Sequence, residues 1–212
     1  ILLMAGGKIV VAGRPEDVLT TENILKTYSV QTVVKRHPIT GSLYVMALSP
    51  TARMGDGQGK GNVHVICGGG TGAELMHRLV ESGWRVSTGV LNLLDTDYEC
   101  AEVLKIPVTS EAPFSTISDE TFKENVQGIH GADVVIVSDF PVGSGNLRNL
   151  EAAVSAVEMG IPTIVIKGSH SGERDFTDGE AAKHYNIMFE KGALVAGDVD
   201  EALRIAEKYR SQ

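Results

Sequence analysis

Cysteine is scarce in this chain of 212 residues: Cys67 and Cys100 are its only two, too few for a disulfide framework or a cysteine-based metal module. One falls at the end of an expected buried strand and the other in an expected helix, the usual setting of isolated thiols. Positive charge is also in short supply. The 19 Lys and Arg are outnumbered by 27 Asp and Glu, giving a formal charge of -8 and a sequence pI near 5.2. No basic cluster occurs, which argues against a nucleic-acid partner, because phosphate backbones are held by clustered cations. The chain lacks an apolar run long enough to span a bilayer and a basic-then-apolar signal segment. Glycine is abundant, at 24 residues, and 42% of the chain is hydrophobic. That is enough for one well-buried domain and an appendage.

The opening residues form two apolar runs, Ile1-Leu2-Leu3-Met4-Ala5 and Lys8-Ile9-Val10-Val11-Ala12, around Gly6-Gly7. This is a hairpin signal. With no methionine ahead of it, the chain reads as starting in mid-strand, downstream of a missing beginning. Pro15 opens a short helix with Glu16 and Asp17 in its first turn, and Thr21 is the expected N-cap of a second. Gly7-Lys8-Ile9-Val10, Gly13-Arg14-Pro15, Val18-Leu19-Thr20 and Tyr28-Ser29-Val30 follow one another in an order that resembles the tail of the ATPase subunit of ABC importers, in particular the iron-siderophore and cobalamin class. The resemblance covers residues 1–50. It implies a parent ATPase whose ATP site lies in the missing part, transporter membrane subunits as partners through that parent, and a cytoplasmic location peripheral to the cell membrane.

A P-loop is imitated once, by Gly55-Asp56-Gly57-Gln58-Gly59-Lys60-Gly61. Met54 stands where its first glycine is needed, no Ser or Thr follows Lys60, and the segment precedes a strand where a P-loop would follow one. Residues 51–61 therefore read as a Gly-rich linker. It divides the ABC-like tail, residues 1–50, from a ligand-binding domain expected over residues 62–212.

In that second part, short Val/Ile-rich runs alternate with longer helical stretches. Strands are predicted at 63–67, 85–91, 133–138, 162–167 and 193–196. Helices are predicted at 72–82, 95–104, 119–129, 147–159, 179–190 and 199–209, with a short extended piece at 107–109. The alternation predicts an α/β fold: a doubly wound parallel sheet, three-layer αβα, preceded by a small hairpin and helix appendage. Ligands of such sheets bind at the carboxyl ends of the strands, where strand order reverses.

The unusual residues fall at those ends. Gly68-Gly69-Gly70-Thr71-Gly72-Ala73 fits G-x-G-x-x-A after a strand and before a helix, as a phosphate-cradling turn requires; the competing reading is a turn that merely packs tightly. Asp95 stands roughly 20 residues on, where dinucleotide folds place a ribose-binding acid. It is equally an N-cap, with Asp97 favouring the same helix dipole. Asp139, Gly143, Gly145 and Asn146 lie in a second loop, whose last two residues are expected to cap the following helix. His170 and Arg174 lie in a third, with Lys167, as a candidate lid. Pro113-Phe114-Ser115 is a candidate apolar platform. The glycine turn and Pro141-Val142-Gly143 loosely resemble Rossmann-like nucleotide-binding proteins of the lysine-decarboxylase-like group, without that group's fuller PGGxGTxxE signature.

No spacing ties a nucleophile to a base, and no His or Cys pair has metal-ligand spacing. No catalytic residue or metal ligand is therefore assigned, and His64 and His77 read as structural. Three functions remain: a ligand-sensing, regulatory part of an importer ATPase, binding a nucleotide or phosphorylated small molecule; an enzyme that modifies imported cargo; and a dimerisation or interaction domain without a ligand. The first is favoured, with a homodimer expected because exposed strand edges in residues 1–50 seek a partner.

Overall fold

The computed structural model describes residues 1–30, 32–36, 41–47, 61–167 and 174–211. Most of the expected Gly-rich linker, the P-loop-like segment and His170 lie outside the described residues. The chain falls into two compact units, Ile1–Arg53 and Met54–Gln212.

In the first unit, β1 (Leu2–Ala5) and β2 (Lys8–Ala12) pair antiparallel. Gly6 and Gly7 turn the chain at φ +55° and +75°, the left-handed pair that a tight hairpin turn requires. Pro15 opens α1 (Pro15–Val18). The N-cap of α2 (Thr21–Tyr28) is Thr20, one residue ahead of the expected Thr21: the Thr20 hydroxyl accepts from Asn23 N at 3.1 Å. The Thr21 hydroxyl instead donates to the Thr32 carbonyl at 3.0 Å, tying α2 to β3 (Thr32–Arg36), which pairs antiparallel with β4 (Leu43–Ala47). Leu3, Val18 and Ile24 form the small core of this unit.

The second unit is a five-stranded, all-parallel sheet with helices on both faces, a Rossmann-like α/β fold. Its strands are β5 (Asn62–Ile66), β6 (Arg85–Thr88), β9 (Val134–Val137), β10 (Thr163–Ile166) and β11 (Leu194–Ala196), in the order β11-β10-β9-β5-β6. Successive side chains of a strand point to opposite faces. Val63, Val65, Val134 and Ile136 accordingly pack against α3 (Ala73–Glu81), α4 (Thr96–Leu104) and α8 (Val199–Ala206). Ile66, Val135, Val137 and Val165 pack against α5 (Asp119–His130), α6 (Leu147–Glu158) and α7 (Glu180–Glu190). The last helix ends in a 3₁₀ turn at Glu207–Tyr209.

One strand is shorter than expected. The predicted run 85–91 leaves the main sheet after Thr88, and the chain resumes as β7 (Leu91–Asn92), paired in parallel with β8 (Ser110–Glu111). Asn149 of α6 diverts it: its side chain accepts from Val90 N at 3.1 Å and donates to Val90 O at 2.8 Å. The backbone groups of Val90 are thus satisfied by an amide where a neighbouring strand would otherwise serve. Gly89 is needed beside it, because a Cβ there would sit 3.1 Å from Asn149 Oδ1.

Asn149 also ends a buried polar chain. Asn125 donates to Asn149 Oδ1, and Asn125 Oδ1 faces His64 Nε2, both at 2.9 Å; His64 Nδ1 faces Ser87 Oγ at 2.9 Å. With Asn125 oriented as a donor to Asn149, the His64 proton is assigned to Nε2. Burial lowers the His64 pKa to about 4, so the imidazole is neutral. The role of His64 is structural, as its place in the sequence implies, and nothing local in the sequence points to its partners Asn125 and Asn149.

Candidate functional site

Strand order reverses at β5, from which the chain first adds β6 on one side and then crosses to β9 on the other. This is the switch point at which ligands of open α/β sheets bind. The loops leaving β5 and β9 meet there: the Thr71 and Ser138 hydroxyls are 2.7 Å apart, and a Cβ on Gly69 would lie 3.1 Å from the Pro141 ring. Gly69 and Gly70 hold φ of +63° and +81°, which makes glycine the natural residue at both positions.

The turn has the form of an anion cradle, and carboxylates of the chain itself fill it. Asp95 caps α4, with Oδ1 accepting from Asp97 N at 2.9 Å, while its Oδ2 reaches back to accept from Gly69 N at 2.8 Å. Asp97 is fully buried and receives Gly72 N on both oxygens, at 3.0 and 3.1 Å. It therefore stands at the N-terminus of α3, where a phosphate would be expected to sit. Burial raises the Asp97 pKa, with the neighbouring Asp95 charge adding to the shift; hydrogen bonds from the Gly72 amide and the Cys67 thiol oppose it. Cys67 is consequently more than an isolated thiol. Burial first, and then the Asp97 charge, push its pKa well up, so it remains a protonated donor to that carboxylate. The packing leaves no room for a side chain at position 72, where a Cβ would come within 2.4 Å of Cys67 Sγ.

The second loop is held by its own residues. Asn146 stands at the N-cap position of α6 but makes no side-chain cap bond. Its Oδ1 accepts from Gly143 N at 2.8 Å and its amide donates to Pro141 O at 2.9 Å. Gly145 lies against the Ser115 carbonyl, which brings the 113–115 segment to the same edge. Phe114 there is fully exposed at φ +63°, a backbone conformation uncommon for a bulky residue.

Asp139 and Arg174 belong to a neighbouring cleft, away from the glycine turn. The Arg174 guanidinium donates to the Asp139 carbonyl and lies 3.7 Å from its carboxylate. Backbone bonds from Val142 N to Arg174 O and from Phe176 N to Val142 O, both 2.8 Å, join the two loops. Together with the ends of β9 and β10 and one face of α7, they enclose about 230 Å³ above Phe140, Val142 and Val165, with Lys167, Tyr185, Asn186 and Phe189 around the rim. Burial, and then the charges of Asp139 and Asp175, push the Tyr185 phenol upward, keeping it a hydrogen-bond donor. Tyr185, Asn186 and Phe189 were not among the sequence candidates. Their signal was the Tyr185/Phe189 pair one helical turn apart, which ordinarily reads as core packing. Among the described residues, no group of three His, Cys, Asp or Glu side chains is placed to hold a metal ion, and no helix is long and apolar enough to cross a membrane.

Comparison with known proteins places this edge in context. The cobalamin import ATP-binding protein BtuD of Halobacterium salinarum strain R1 is 30% identical over 180 residues, 84% of this chain and 42% of that protein. The same protein from strain NRC-1 matches identically. The aligned stretch is longer than either compact unit, so the similarity extends beyond residues 1–50 and draws on the α/β unit as well. The chain spans less than half the length of these relatives. The uncharacterized protein MJ0874 of Methanocaldococcus jannaschii is 37% identical over 62 residues, 29% of this chain and 67% of that protein. The family model named for that protein matches residues 86–203, more than half of the chain and most of the sheet that carries the site, and the chain belongs to the MJ0874 family.

Proposed function

We propose that this chain is the ligand-sensing, regulatory part of an ABC importer ATP-binding protein. In this reading the α/β unit binds a nucleotide or phosphorylated small molecule at the carboxyl edge of its sheet and passes its occupancy to the transporter. Its main support is the 180-residue similarity to a cobalamin import ATP-binding protein, which runs through both units. The meeting of the β5 and β9 loops at the switch point supplies the crevice. ATP would be bound by a separate part of the parent protein, whose membrane subunits would bring this unit to the cytoplasmic face of the membrane.

Because Asp95 and Asp97 occupy the Gly69 and Gly72 amides, the ligand's anionic group would lie toward Arg174 rather than at the start of α3. A thermal-shift series of the whole chain with nucleotides, dinucleotides and corrinoids tests the reading, since binding to the native state alone raises Tm. A shift with one class, reduced in Arg174→Gln at the cleft, is the expected result. No shift with any class would favour an interaction domain.

A further inference from the structure

The cleft beneath α7 differs from the glycine turn in what its polar groups are doing. The Asp175 carboxylate is committed: it accepts from Thr177 N at 2.8 Å, from the Thr177 hydroxyl at 2.6 Å and from Ala182 N at 3.2 Å. Asp139 faces the Arg174 guanidinium in a longer ion pair, at 3.7 Å. Beside them the cleft presents hydrogen-bond donors: the exposed Lys167 ammonium, which pairs with no carboxylate among the described residues, the remaining guanidinium edge of Arg174, the Tyr185 hydroxyl and the Asn186 amide. They surround a floor of Phe140, Val142 and Val165, with Phe189 stacked on Tyr185 at a centroid distance of 6.5 Å. A rim of donors over an apolar floor complements a molecule with an anionic head and an apolar body. At about 230 Å³ the volume falls below the roughly 300–1,000 Å³ of drug-sized sites, which limits the occupant to a small acid or to one end of a larger ligand.

We propose that this cleft binds small aryl or alkyl acids, a carboxylate or phosphate monoester, with the anionic group held by Lys167, Arg174 and Tyr185 and the apolar body resting on Phe140, Val142 and Phe189. The proposal builds on the reading that the carboxyl edge is a ligand site, and it names the chemistry read there and where the anionic head lies.

Titrating the ¹⁵N-labelled whole chain with phenyl phosphate, benzoate and neutral benzyl alcohol, followed by amide chemical shifts, tests it. The expected result is saturable movement of amides at 165–167 and 181–189 with both acids, and weaker binding of the alcohol. Lys167→Ala should weaken phenyl phosphate about tenfold, as loss of a charge-assisted contact does, and Tyr185→Phe about fivefold. Ala182→Trp, at an exposed position on the rim, should abolish binding with the spectrum otherwise intact. Equal binding of acid and alcohol, movement confined to residues 68–72 and 143–146, or no movement at all would overturn the proposal. The sensing function fails separately, by the absence of any thermal shift with nucleotides, dinucleotides or corrinoids.

Discussion

The glycine turn and the α7 cleft lie on the same edge of one sheet and treat negative charge in opposite ways. At the turn, the amides of Gly69 and Gly72 point inward onto Asp95 and Asp97, so the anion that the geometry calls for is built into the chain. In the cleft, Asp175 is satisfied within its own loop and helix, Asp139 is paired with Arg174, and Lys167, Arg174 and Tyr185 line the opening. A backbone cradle with glycines in the right places is thus evidence for an anion, and the anion's origin is a separate question. The difference also separates stability from binding: changes at the turn should mainly unfold the chain, and changes at the cleft should mainly alter what it holds.

The largest effect is expected at Gly72. Its Cβ position lies within 2.4 Å of Cys67 Sγ and 2.6 Å of Cys67 Cβ, so Gly72→Ala must move either β5 or α3. Overpacking of this kind should lower unfolding stability by about 3 kcal/mol, measured by urea denaturation. A loss below about 0.5 kcal/mol would mean that the turn is looser than described.

Asp97→Ala comes next. It leaves the Gly72 amide without its acceptor at a buried position, and should destabilise by about 2 kcal/mol. The same variant sharpens the comparison, because the emptied cradle should now take an anion from solution. Inorganic phosphate should raise the Tm of Asp97→Ala and leave the wild type unchanged at that site. Equal phosphate shifts in both proteins would show that Asp97 does not fill the cradle.

Acidification distinguishes the turn from the buried chain behind it. The unfolded His64 imidazole binds a proton near pH 6.5, whereas in the folded protein it stays neutral until about pH 4. Unfolding therefore takes up a proton between those values, and stability falls by about 1.4 kcal/mol per pH unit as pH drops through the window. Asp97 has the opposite sign: its raised folded pKa makes the native state the better proton binder, so its contribution to stability grows toward acid. In His64→Gln the slope between pH 6.5 and 4 should flatten, and in Asp97→Ala it should steepen toward the acid end. An unchanged slope in His64→Gln would mean that the histidine is not held neutral.

Most of the architecture was legible from residue pattern. The Val/Ile runs at 63–66, 134–137 and 163–166 are buried at nearly every position, as parallel strands covered on both faces must be, and Gly-rich turns mark their carboxyl ends. What spacing could not tell was whether the anion at Gly68–Gly72 is a ligand or a side chain, because Asp95 and Asp97 satisfy the amides by the same chemistry a phosphate would. The early end of β6 was hidden for a related reason. Asn149 acts as a substitute strand for Val90, and that contact joins residues 59 apart, beyond the reach of any local periodicity. The cleft was the least legible part. Tyr185 and Phe189 occupy an amphipathic helix at ordinary core spacing, and only the fold places them above the end of β10.

The smallest expected stability change is in the cleft, and it bears most directly on function. Lys167 is exposed and Tyr185→Phe keeps the ring stacked on Phe189, so neither Lys167→Ala nor Tyr185→Phe removes buried apolar contact. Each should leave unfolding stability within about 0.5 kcal/mol of wild type. Arg174→Gln breaks a long, partly exposed pair with Asp139 and should cost about 1 kcal/mol. Near-neutral stability in all three, set against the losses in Gly72→Ala and Asp97→Ala, would mean that the fold does not need the cleft's donors, as expected of groups held out for a ligand. If Tyr185→Phe instead cost as much as Asp97→Ala, its hydroxyl would be part of the scaffold, and the contrast between a closed turn and an open cleft would fail.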